Sequence, residues 1–358
     1  MHSEDNIEFK PTVSIIINNY NYDQFLAKAI DSALNQTYPS VEVIVVDDGS
    51  TDQSHAVISN YVSRIIPVLK QNGGQASALN AGIEVSQGEV IFFLDADDIF
   101  LSTKVEEMLN LFNQLAHEDP DILISNYIET INESGILINI DILERLSATC
   151  SWQYLSEIRG SKKQLIDGEI TKLSTSEQIY QFAAKYRFIP YLAMPTSGFA
   201  MTRSLVNKVF PIPYESFKIS ADDFIVKGAS VVGSIYLTNK VLTKYRIHGN
   251  NSWYESKSKI PKEFIEMVDK FLNSKLKTTG RKPVFSYFNS IHAKGYYRTH
   301  YPNNCDRELL KLAIEVIIWH VNLTTIIFFV KTIVLSIFLK VKRISNDFIN
   351  LSNANKST

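Results

Sequence analysis

The chain has 358 residues, 45% of them hydrophobic and 21% charged, which suits one large globular domain or one domain with an appendage. The formal net charge of −2 excludes a general nucleic-acid binder, because such proteins carry a domain-wide basic excess. The two cysteines, Cys150 and Cys305, are far apart and without metal-ligand spacing, so no disulfide framework is expected. The polar stretch 1–10 lacks the apolar core of a signal peptide, and we expect a cytoplasmic protein.

The residues up to about 128 alternate between apolar runs and helical patterns. Continuous apolar runs, typical of strands buried on both faces, occupy 12–18, 41–46 and 90–94, and further strands are predicted at 65–70 and near 121–128. Apolar residues repeat with a helical period over 23–36, 52–62, 75–86 and 103–116. Strands that alternate with helices at this spacing predict right-handed βαβ units. The expected fold is therefore α/β, a Rossmann-like and mostly parallel sheet flanked by helices.

The second half of the chain is less regular. Residues 129–185 read as a mixed, partly helical insertion within one domain that extends from 11 to 255. The pattern becomes clear again over 195–210, in a helix near 222–233 and in a strand at 241–248. A helical C-terminal region is expected over 256–345, followed by a polar tail, 346–358.

Polar residues follow three of the predicted strands at the point where each strand ends. They form the clusters Asn18–Asn21, Asp47–Asp52 and Asp95–Asp98. In open parallel sheets, ligands bind beyond the carboxyl ends of the strands. The three clusters therefore predict one composite site at a single edge of the sheet.

The sequence "LDADD" places Asp95, Asp97 and Asp98 directly after a buried strand. Like charges packed together raise one another's pKa, so the cluster needs a positive partner. Carboxylate oxygens suit Mg²⁺ or Mn²⁺, and few protein ligands are needed when phosphates and water complete the shell. An Asp-rich turn is the structural alternative. Asp48 offers an acceptor for the imide N–H of a uracil ring, or else belongs to a turn that caps the next helix.

The motifs "VSIIINNYN", "VIVVDDGSTD", "NGGQASALNAG" and "LDADD", in this order and spacing, resemble the family 2 glycosyltransferases of the GT-A fold. The resemblance is close over residues 11–110 and looser over 195–250. It implies an enzyme that binds a nucleotide-sugar, usually a UDP-sugar, and inverts the anomeric centre with the help of Mn²⁺ or Mg²⁺. Neither G-x-G-x-x-G nor a P-loop pattern is present, which disfavours dinucleotide and P-loop nucleotide binding.

The resemblance also assigns roles to residues on the donor side. Asp97 is the implied metal ligand, and His248 of "YRIHGNNS" approaches the metal or the diphosphate, or makes a structural hydrogen bond. The implied donor-binding residues are Asn18, Tyr20, Asp48, Asn80, Asp95 and Asp98.

The remaining implied roles concern catalysis and the acceptor. "ISADDF" stands where the family has a Glu-Asp pair, so Asp223 is the implied base, but Asp222 replaces the commoner Glu and leaves the choice between the two open. Acids at a helix start also stabilise the helix, which is the structural alternative. "TSGFAM" resembles the acceptor-side segment, with Ser197 and Gly198 near the sugar.

The segment 323–343 is the most apolar of the chain, but Lys331 interrupts it and its centre is shorter than the ~20 residues of a spanning helix. Its polar residues lie on one stripe, which favours contact between 309–343 and the inner face of the plasma membrane. Packing against the catalytic domain or a second copy in a homo-oligomer, and a true span, are the alternatives.

The sequence as a whole predicts a metal-dependent inverting glycosyltransferase of the hexosyltransferase type. It would transfer a sugar to a glycan or lipid-linked acceptor in cell-surface polysaccharide synthesis. Two alternatives stay open: a non-catalytic nucleotide-sugar-binding or scaffold protein, and a sugar-phosphate nucleotidyltransferase, which would need a basic, Gly-rich first loop in place of "NNYNYDQF".

Overall fold

A computed structural model of the chain describes residues 12–115, 117–138, 154–159, 168–214, 221–249, 251 and 262–285. The chain divides into two compact units, Met1–Lys185 with Ile189–Val284 and Tyr186–Phe188 with Phe285–Thr358. Most of the second unit, including the segment 323–343, lies outside the described residues. Within the described part, no helix is long and apolar enough to cross a bilayer.

The secondary structure alternates closely along the first half of the chain. The strands are β1 (Val13–Asn19), β2 (Val41–Asp47), β3 (Ile66–Leu69), β4 (Val90–Asp95), β5 (Ile99–Phe100), β6 (Ile122–Ile131), β7 (Leu137–Ile138), β8 (Ile170–Ser174), β9 (Phe199–Thr202) and β10 (Ser234–Arg246). The α-helices are α1 (Asp23–Leu34), α2 (Ser54–Ser59), α3 (Gln75–Val85), α4 (Lys104–Leu115), α5 (Leu155–Arg159), α6 (Ser176–Tyr186), α7 (Arg203–Val209), α8 (Ala221–Val232) and α9 (Lys262–Thr278). A 3₁₀ turn, Thr196–Gly198, precedes β9.

The strands form one sheet in the order β3-β2-β1-β4-β9-β6-β10-β5, with β7 paired to β6 and β8 to β10. Strands β1 to β4 pair in parallel, as do β6 and β10. The short strand β9 runs antiparallel between β4 and β6 and joins these two parallel groups. The predicted α/β architecture with a mostly parallel sheet is therefore confirmed.

Both faces of the first parallel group are covered, which explains why its strands are apolar along their whole length. Helices α1 and α4 bury their apolar stripes against one face, together with Val13, Ile15 and Ile17 of β1. On the other face α3 lies so close to the sheet that a Cβ on Gly82 would be 2.5 Å from Cγ2 of Ile16. The small residues of α3 therefore permit this close packing.

The predicted elements differ from the observed ones mainly in the second half. Strand β10 begins at Ser234, seven residues before the predicted strand, because irregularities near Val241 interrupt its alternation. The region 129–185 contains the end of β6, then β7, α5, β8 and α6, so strands pair here where a mixed, partly helical insertion was expected. Helix α2 is also shorter than the predicted 52–62.

Candidate functional site

The carboxyl ends of β1, β2 and β4 meet at one edge of the sheet. The parallel register places Asn18 beside Asp95 and Asn19 beside Asp47. The side chain of Asn18 hydrogen-bonds the Asp95 carboxylate, and Nδ2 of Asn19 donates to Oδ2 of Asp47 at 2.8 Å. The polar clusters that follow these strands therefore form one continuous surface.

Three carboxylates, those of Asp95, Asp97 and Asp98, are crowded at the end of β4. Asp97 is 8% exposed and Asp98 only 1%. Burial and repulsion by Asp97 raise the pKa of Asp95 to about 7 and the pKa of Asp98 well above its usual range. Both pKa shifts mean that the ionised carboxylates are destabilised at the end of β4. A bound cation would relieve this repulsion.

Arg246 fixes the turn that carries these acids. The residue is fully buried, and its Nε donates to the backbone O of Asp97 at 2.8 Å. Its backbone N–H donates to Oδ1 of Asp98 at 2.8 Å, while Nη1 donates to the backbone O of Asn132 and Glu133. The guanidinium group thus holds the turn through main-chain carbonyls rather than through a carboxylate. No local sequence pattern indicates that this arginine is buried.

His248 lies beside Asp97, with 2.9 Å between Nε2 and Oδ2 of the carboxylate. Its ring packs against Phe25 of α1, with the ring centroids 5.1 Å apart, and against Tyr22 of the loop before α1, with the centroids 5.4 Å apart. The two predicted metal ligands are therefore neighbours. Among the described residues, however, no three His, Cys, Asp or Glu side chains are grouped to hold a metal ion. These side chains fit a cation only if it takes its other ligands from a bound diphosphate and water.

Ser197 and Gly198 lie behind the acid cluster and are buried, unlike an acceptor-binding surface. Oγ of Ser197 accepts the backbone N–H of Asp95 at 2.9 Å. A Cβ on Gly198 would be 2.5 Å from Cβ of Met194, so only glycine fits there. Ser197 therefore supports the backbone of Asp95, and the acceptor-side role of the pair stays a prediction.

Lys104 completes this support and was missed in the sequence. Its side chain is fully buried, and Nζ donates to the backbone O of Ser197 at 2.6 Å and to Oγ1 of Thr243 at 2.7 Å. The ammonium group also lies 3.9 Å from the centroid of the Phe100 ring. Burial lowers the pKa of Lys104 well below its usual range. Lysine at the start of a helix reads as a surface residue, so no sequence signal pointed to it.

Asp48, the predicted acceptor for a uracil ring, is engaged within the protein, and its role in donor binding stays a prediction. The residue is 2% exposed, and its carboxylate already accepts hydrogen bonds from the backbone N–H groups of Gly73 and Gly74 and from Nζ of Lys70. Gly74 has a φ of 87°, a conformation that favours glycine. Asp48 therefore organises the "NGG" turn. A shallow cavity of about 500 Å³ opens beside it, lined by Gly49, Ser50, His55, Leu69, Lys70, Gln71 and Asn72.

Of the other predicted donor-side residues, Tyr20 has an exposed side chain and Asn80 has a side chain that is hydrogen-bonded within the protein. Tyr20 is 46% exposed at the site edge. Asn80, a predicted donor-binding residue, pairs with the backbone of Ile212: Nδ2 donates to its O at 2.8 Å and Oδ1 accepts its N–H at 3.0 Å. Both ends of the amide are used, so the side chain fixes the segment before α8.

Gln75, the first residue of α3, connects the two groups of acids. Its Nε2 donates to Oδ1 of Asp95 at 3.1 Å, and its Oε1 accepts the backbone N–H of Ala221 at 3.3 Å. Ala221 directly precedes Asp222 in the first turn of α8. Gln75 is not among the predicted site residues, although its position directly after the "NGG" turn is a signal in the sequence.

Asp222 and Asp223 have different surroundings. Burial and the neighbouring Asp223 raise the pKa of Asp222 to about 6, and Asp222 in turn contributes to the raised pKa of Asp95. Its Oδ2 accepts from the hydroxyl of Tyr191 at 3.1 Å. Asp223 forms an ion pair with Lys227, one turn further along α8, with 2.8 Å between Oδ1 and Nζ. Asp222 thus faces the strand-end acids, and Asp223 has its own counter-charge.

Carboxylates from the end of β4 and from the start of α8 meet at this edge of the sheet. This arrangement is that of a GT-A glycosyltransferase. Sequence comparison agrees, because the profile of Glycosyl transferase family 2 matches residues 14–165. An uncharacterized glycosyltransferase of Nostoc sp. is 31% identical over 282 residues, 75% of this chain and 76% of its own. The chain belongs to glycosyltransferase family 2.

Other similar proteins are related over shorter stretches or by fold. An uncharacterized glycosyltransferase of Rickettsia prowazekii is 42% identical over 111 residues, which are 31% of this chain and 35% of that protein. The crystal structure of S. aureus TarS has a TM-score of 0.50 at 15% identity, over 85% of this chain and 49% of that one. The predicted GT-A fold is confirmed.

Proposed function

We propose that the chain is an inverting glycosyltransferase that moves a hexose from a UDP-sugar to a hydroxyl of a glycan or lipid-linked acceptor in cell-surface polysaccharide synthesis. The observation that carries this proposal is the link through Gln75 between Asp95 and the start of α8. Because of this link, a donor held by the strand-end acids would have its anomeric carbon near a second pair of carboxylates. Inversion requires such an arrangement, since the acceptor attacks opposite the departing diphosphate.

The donor side of the site is assigned to Asn18, Tyr20, Asp95 and Asp98, with the cavity beside Asp48 available for the base. Asp97 and His248 would hold Mn²⁺ or Mg²⁺, because the raised pKa values of Asp95 and Asp98 reflect a charge cluster that a cation would relieve. A bound cation of this kind neutralises charge on the leaving diphosphate. Arg246 and Ser197 keep the acids aligned.

Asp223 is assigned as the general base. Its carboxylate takes the proton of the acceptor hydroxyl as the oxygen bonds to the anomeric carbon, a step that contributes on the order of 10²–10⁴ in rate. Lys227 balances the charge of Asp223 before the reaction. Asp222, which faces Asp95, is assigned to a hydroxyl of the donor sugar. No covalent intermediate is required, and no Ser or Cys nucleophile is invoked.

The two alternatives fit the site less well. A non-catalytic scaffold explains Asp222 and Asp223 only as acids that stabilise a helix start, and it does not account for the burial that raises the pKa of Asp222 to about 6. A nucleotidyltransferase would need basic groups for a triphosphate in the loop between β1 and α1, where Tyr20, Asn21 and Tyr22 stand. Membrane contact through 309–343 and homo-oligomer formation stay predictions for residues outside the described part.

The test is a thermal-shift panel of nucleotide-sugars with and without Mn²⁺, followed by transfer assays. A ligand at 100 times its Kd stabilises a protein by about 2.7 kcal/mol, so a true donor should raise Tm clearly and in a metal-dependent way. Asp223→Asn should keep this shift and lose transfer, whereas Asp222→Asn should weaken it. Asp31→Asn, on the exposed side of α1, is the control. No metal-dependent shift with any donor would refute the proposal.

A further inference from the structure

Tyr191 is a residue that neither the family motifs nor the proposed roles use. It lies in the segment between α6 and the 3₁₀ turn, and it is only partly exposed. Its phenolic oxygen is 2.9 Å from the backbone O of Met194 and 3.1 Å from Oδ2 of Asp222. The hydroxyl therefore lies between a main-chain carbonyl and one of the two carboxylates at the start of α8.

A phenol has one proton, and here two acceptors compete for it. When Asp222 is ionised, the Tyr191 hydroxyl can donate to its carboxylate, and the distance of 3.1 Å between the two oxygens corresponds to this hydrogen bond. When Asp222 is protonated, its own O–H can donate to the phenolic oxygen, and the Tyr191 hydroxyl turns to Met194. In both states Oδ1 of Asp222 accepts the backbone N–H of Asp223 at 3.0 Å. The carboxyl group therefore keeps one orientation through a change of charge.

The charged and titratable groups around Asp222 come from several elements. Asp223 and Lys227 belong to its own helix, Asp95 to the end of β4, and Tyr245 to β10. Asp223 and Asp95 are acids, and they repel the ionised form of Asp222. Tyr191 is the neighbour that can hydrogen-bond to either form.

We propose that Tyr191 is a positioning residue, which holds the Asp222 carboxyl toward the donor side of the site in both of its protonation states. The proposal rests on the assignment of Asp222 to a hydroxyl of the donor sugar. In the ionised state Asp222 accepts from that hydroxyl with its orientation fixed by Tyr191. Without the phenol the carboxyl group would keep only the Asp223 N–H as a fixed contact. Its neutral form would also be favoured, since the hydrogen bond to the ionised carboxylate is the stronger of the two that Tyr191 can make.

The experiment compares Tyr191→Phe with Tyr61→Phe in the full chain. Tyr61 is a matched control, because its hydroxyl also donates to an aspartate carboxylate, Asp31, at 3.1 Å but on the exposed side of α1. For Tyr191→Phe we expect a donor KM higher by ~3–10-fold, a kcat within about twofold, and an acid limb of kcat/KM moved upward by ~0.5–1 pH unit. Tyr61→Phe should change none of the three.

A second measurement does not depend on transfer activity. The ¹³C chemical shift of the Asp222 carboxyl, assigned with Asp222→Asn, is followed against pH in both tyrosine variants. Tyr191→Phe should raise the midpoint of this titration, and Tyr61→Phe should leave it where it is. An unchanged midpoint, or a loss of Tm alone, overturns the role of Tyr191. If no donor supports transfer but the midpoint moves, the positioning holds and the proposed function fails.

Discussion

The two groups of acids at the site are built differently. Asp95, Asp97 and Asp98 lie at the end of a buried strand, where the Arg246 side chain and Oγ of Ser197 hold their backbone. Asp222 and Asp223 lie at the start of α8, where side chains hold their carboxylates directly, through the Tyr191 hydroxyl and Lys227. Main-chain contacts of Asp95 and Asp97 thus add to the hydrogen bonds on the carboxylates of the first group, whereas the second group has a lysine as an internal counter-charge.

This difference determines which group needs an external charge. Within the described part of the chain, no lysine or arginine side chain forms an ion pair with the strand-end acids, and only His248 pairs with Asp97. Asp223, by contrast, has Lys227 at 2.8 Å. The strand-end cluster therefore has repulsion that a cation would relieve, whereas Asp223 at the helix start has a counter-charge within the protein. The two groups of acids are therefore suited to different tasks: the strand-end acids to binding a cation, and the acids at the start of α8 to accepting a proton.

The largest expected effect follows from removing the charge that repels most. Asp97→Asn should reduce transfer by on the order of 10²–10³, because it removes a ligand for the cation that stabilises the leaving group. The same change should raise Tm in the presence of EDTA, since Asp97 destabilises the ionised forms of both Asp95 and Asp98. Activity assays and calorimetry on one preparation test both halves. Unchanged transfer, or a lower Tm, would mean that repulsion by Asp97 does not make the strand-end acids a cation site.

The second expected effect is on stability. Arg246→Met should lower the free energy of unfolding by about 2–4 kcal/mol, because the buried carbonyl group of Asp97 loses its donor and the partly buried contacts with Asn132 and Glu133 are lost. Urea unfolding monitored by fluorescence measures this. Arg64→Met, at an exposed position, should change the free energy by less than about 0.5 kcal/mol. Equal effects of the two substitutions would mean that Arg246 does not hold the turn.

The third expected effect is a pH dependence that metal reverses. In folded protein without metal, the pKa of Asp95 is about 7 and that of Asp222 about 6, both above the value near 4 of an unfolded chain. Folded protein then binds more protons between pH 4 and 7, so its stability falls as pH rises through this window. In EDTA, Tm at pH 6 should exceed Tm at pH 8. Mn²⁺ should stabilise more at pH 8, and an equal shift at both pH values would speak against the cluster as its site.

The smallest expected effect concerns the connection between the two groups. Gln75→Leu removes both hydrogen bonds of the amide, to Asp95 and to Ala221, at nearly constant volume. We expect kcat/KM to fall by ~3–10-fold, the size of one or two ordinary hydrogen bonds, with donor binding largely kept. Gln53→Leu, at an exposed position, is the control. A loss as large as that of Asp97→Asn would show that Gln75 touches the reacting groups itself.

The sequence predicted the sheet well because buried parallel strands have an unmistakable apolar character. It also predicted that the polar clusters after β1, β2 and β4 share one edge of the sheet, since the ends of parallel strands meet there. It failed where a polar side chain serves the main chain of a distant segment. Asp48 binds the turn at Gly73, 25 residues away, and Asn80 binds Ile212, 132 residues away. Such contacts depend on tertiary approach, which no local pattern records.

Buried cations were missed for a related reason. Lys104 and Arg246 look like ordinary surface residues, one in an amphipathic helix and one in an alternating strand. Only the folded chain shows that carbonyl groups of other segments surround them. Their burial is costly unless each N–H finds an acceptor, so the surroundings and not the residue type decide the outcome.

Helix α8 carries its acids on one side and is closed on the other by α9. The Phe224 ring meets Phe264 and Phe271 edge to face, at 5.5 and 5.4 Å, and a Cβ on Gly228 would be 2.9 Å from the Phe271 ring. Helix α9, some forty residues downstream, thus packs against the side of α8 that faces away from the acids. Exchanging C-terminal parts between related enzymes would accordingly do more than change what they dock onto: a poorly matched ring there would tilt the very helix that aims the carboxylates.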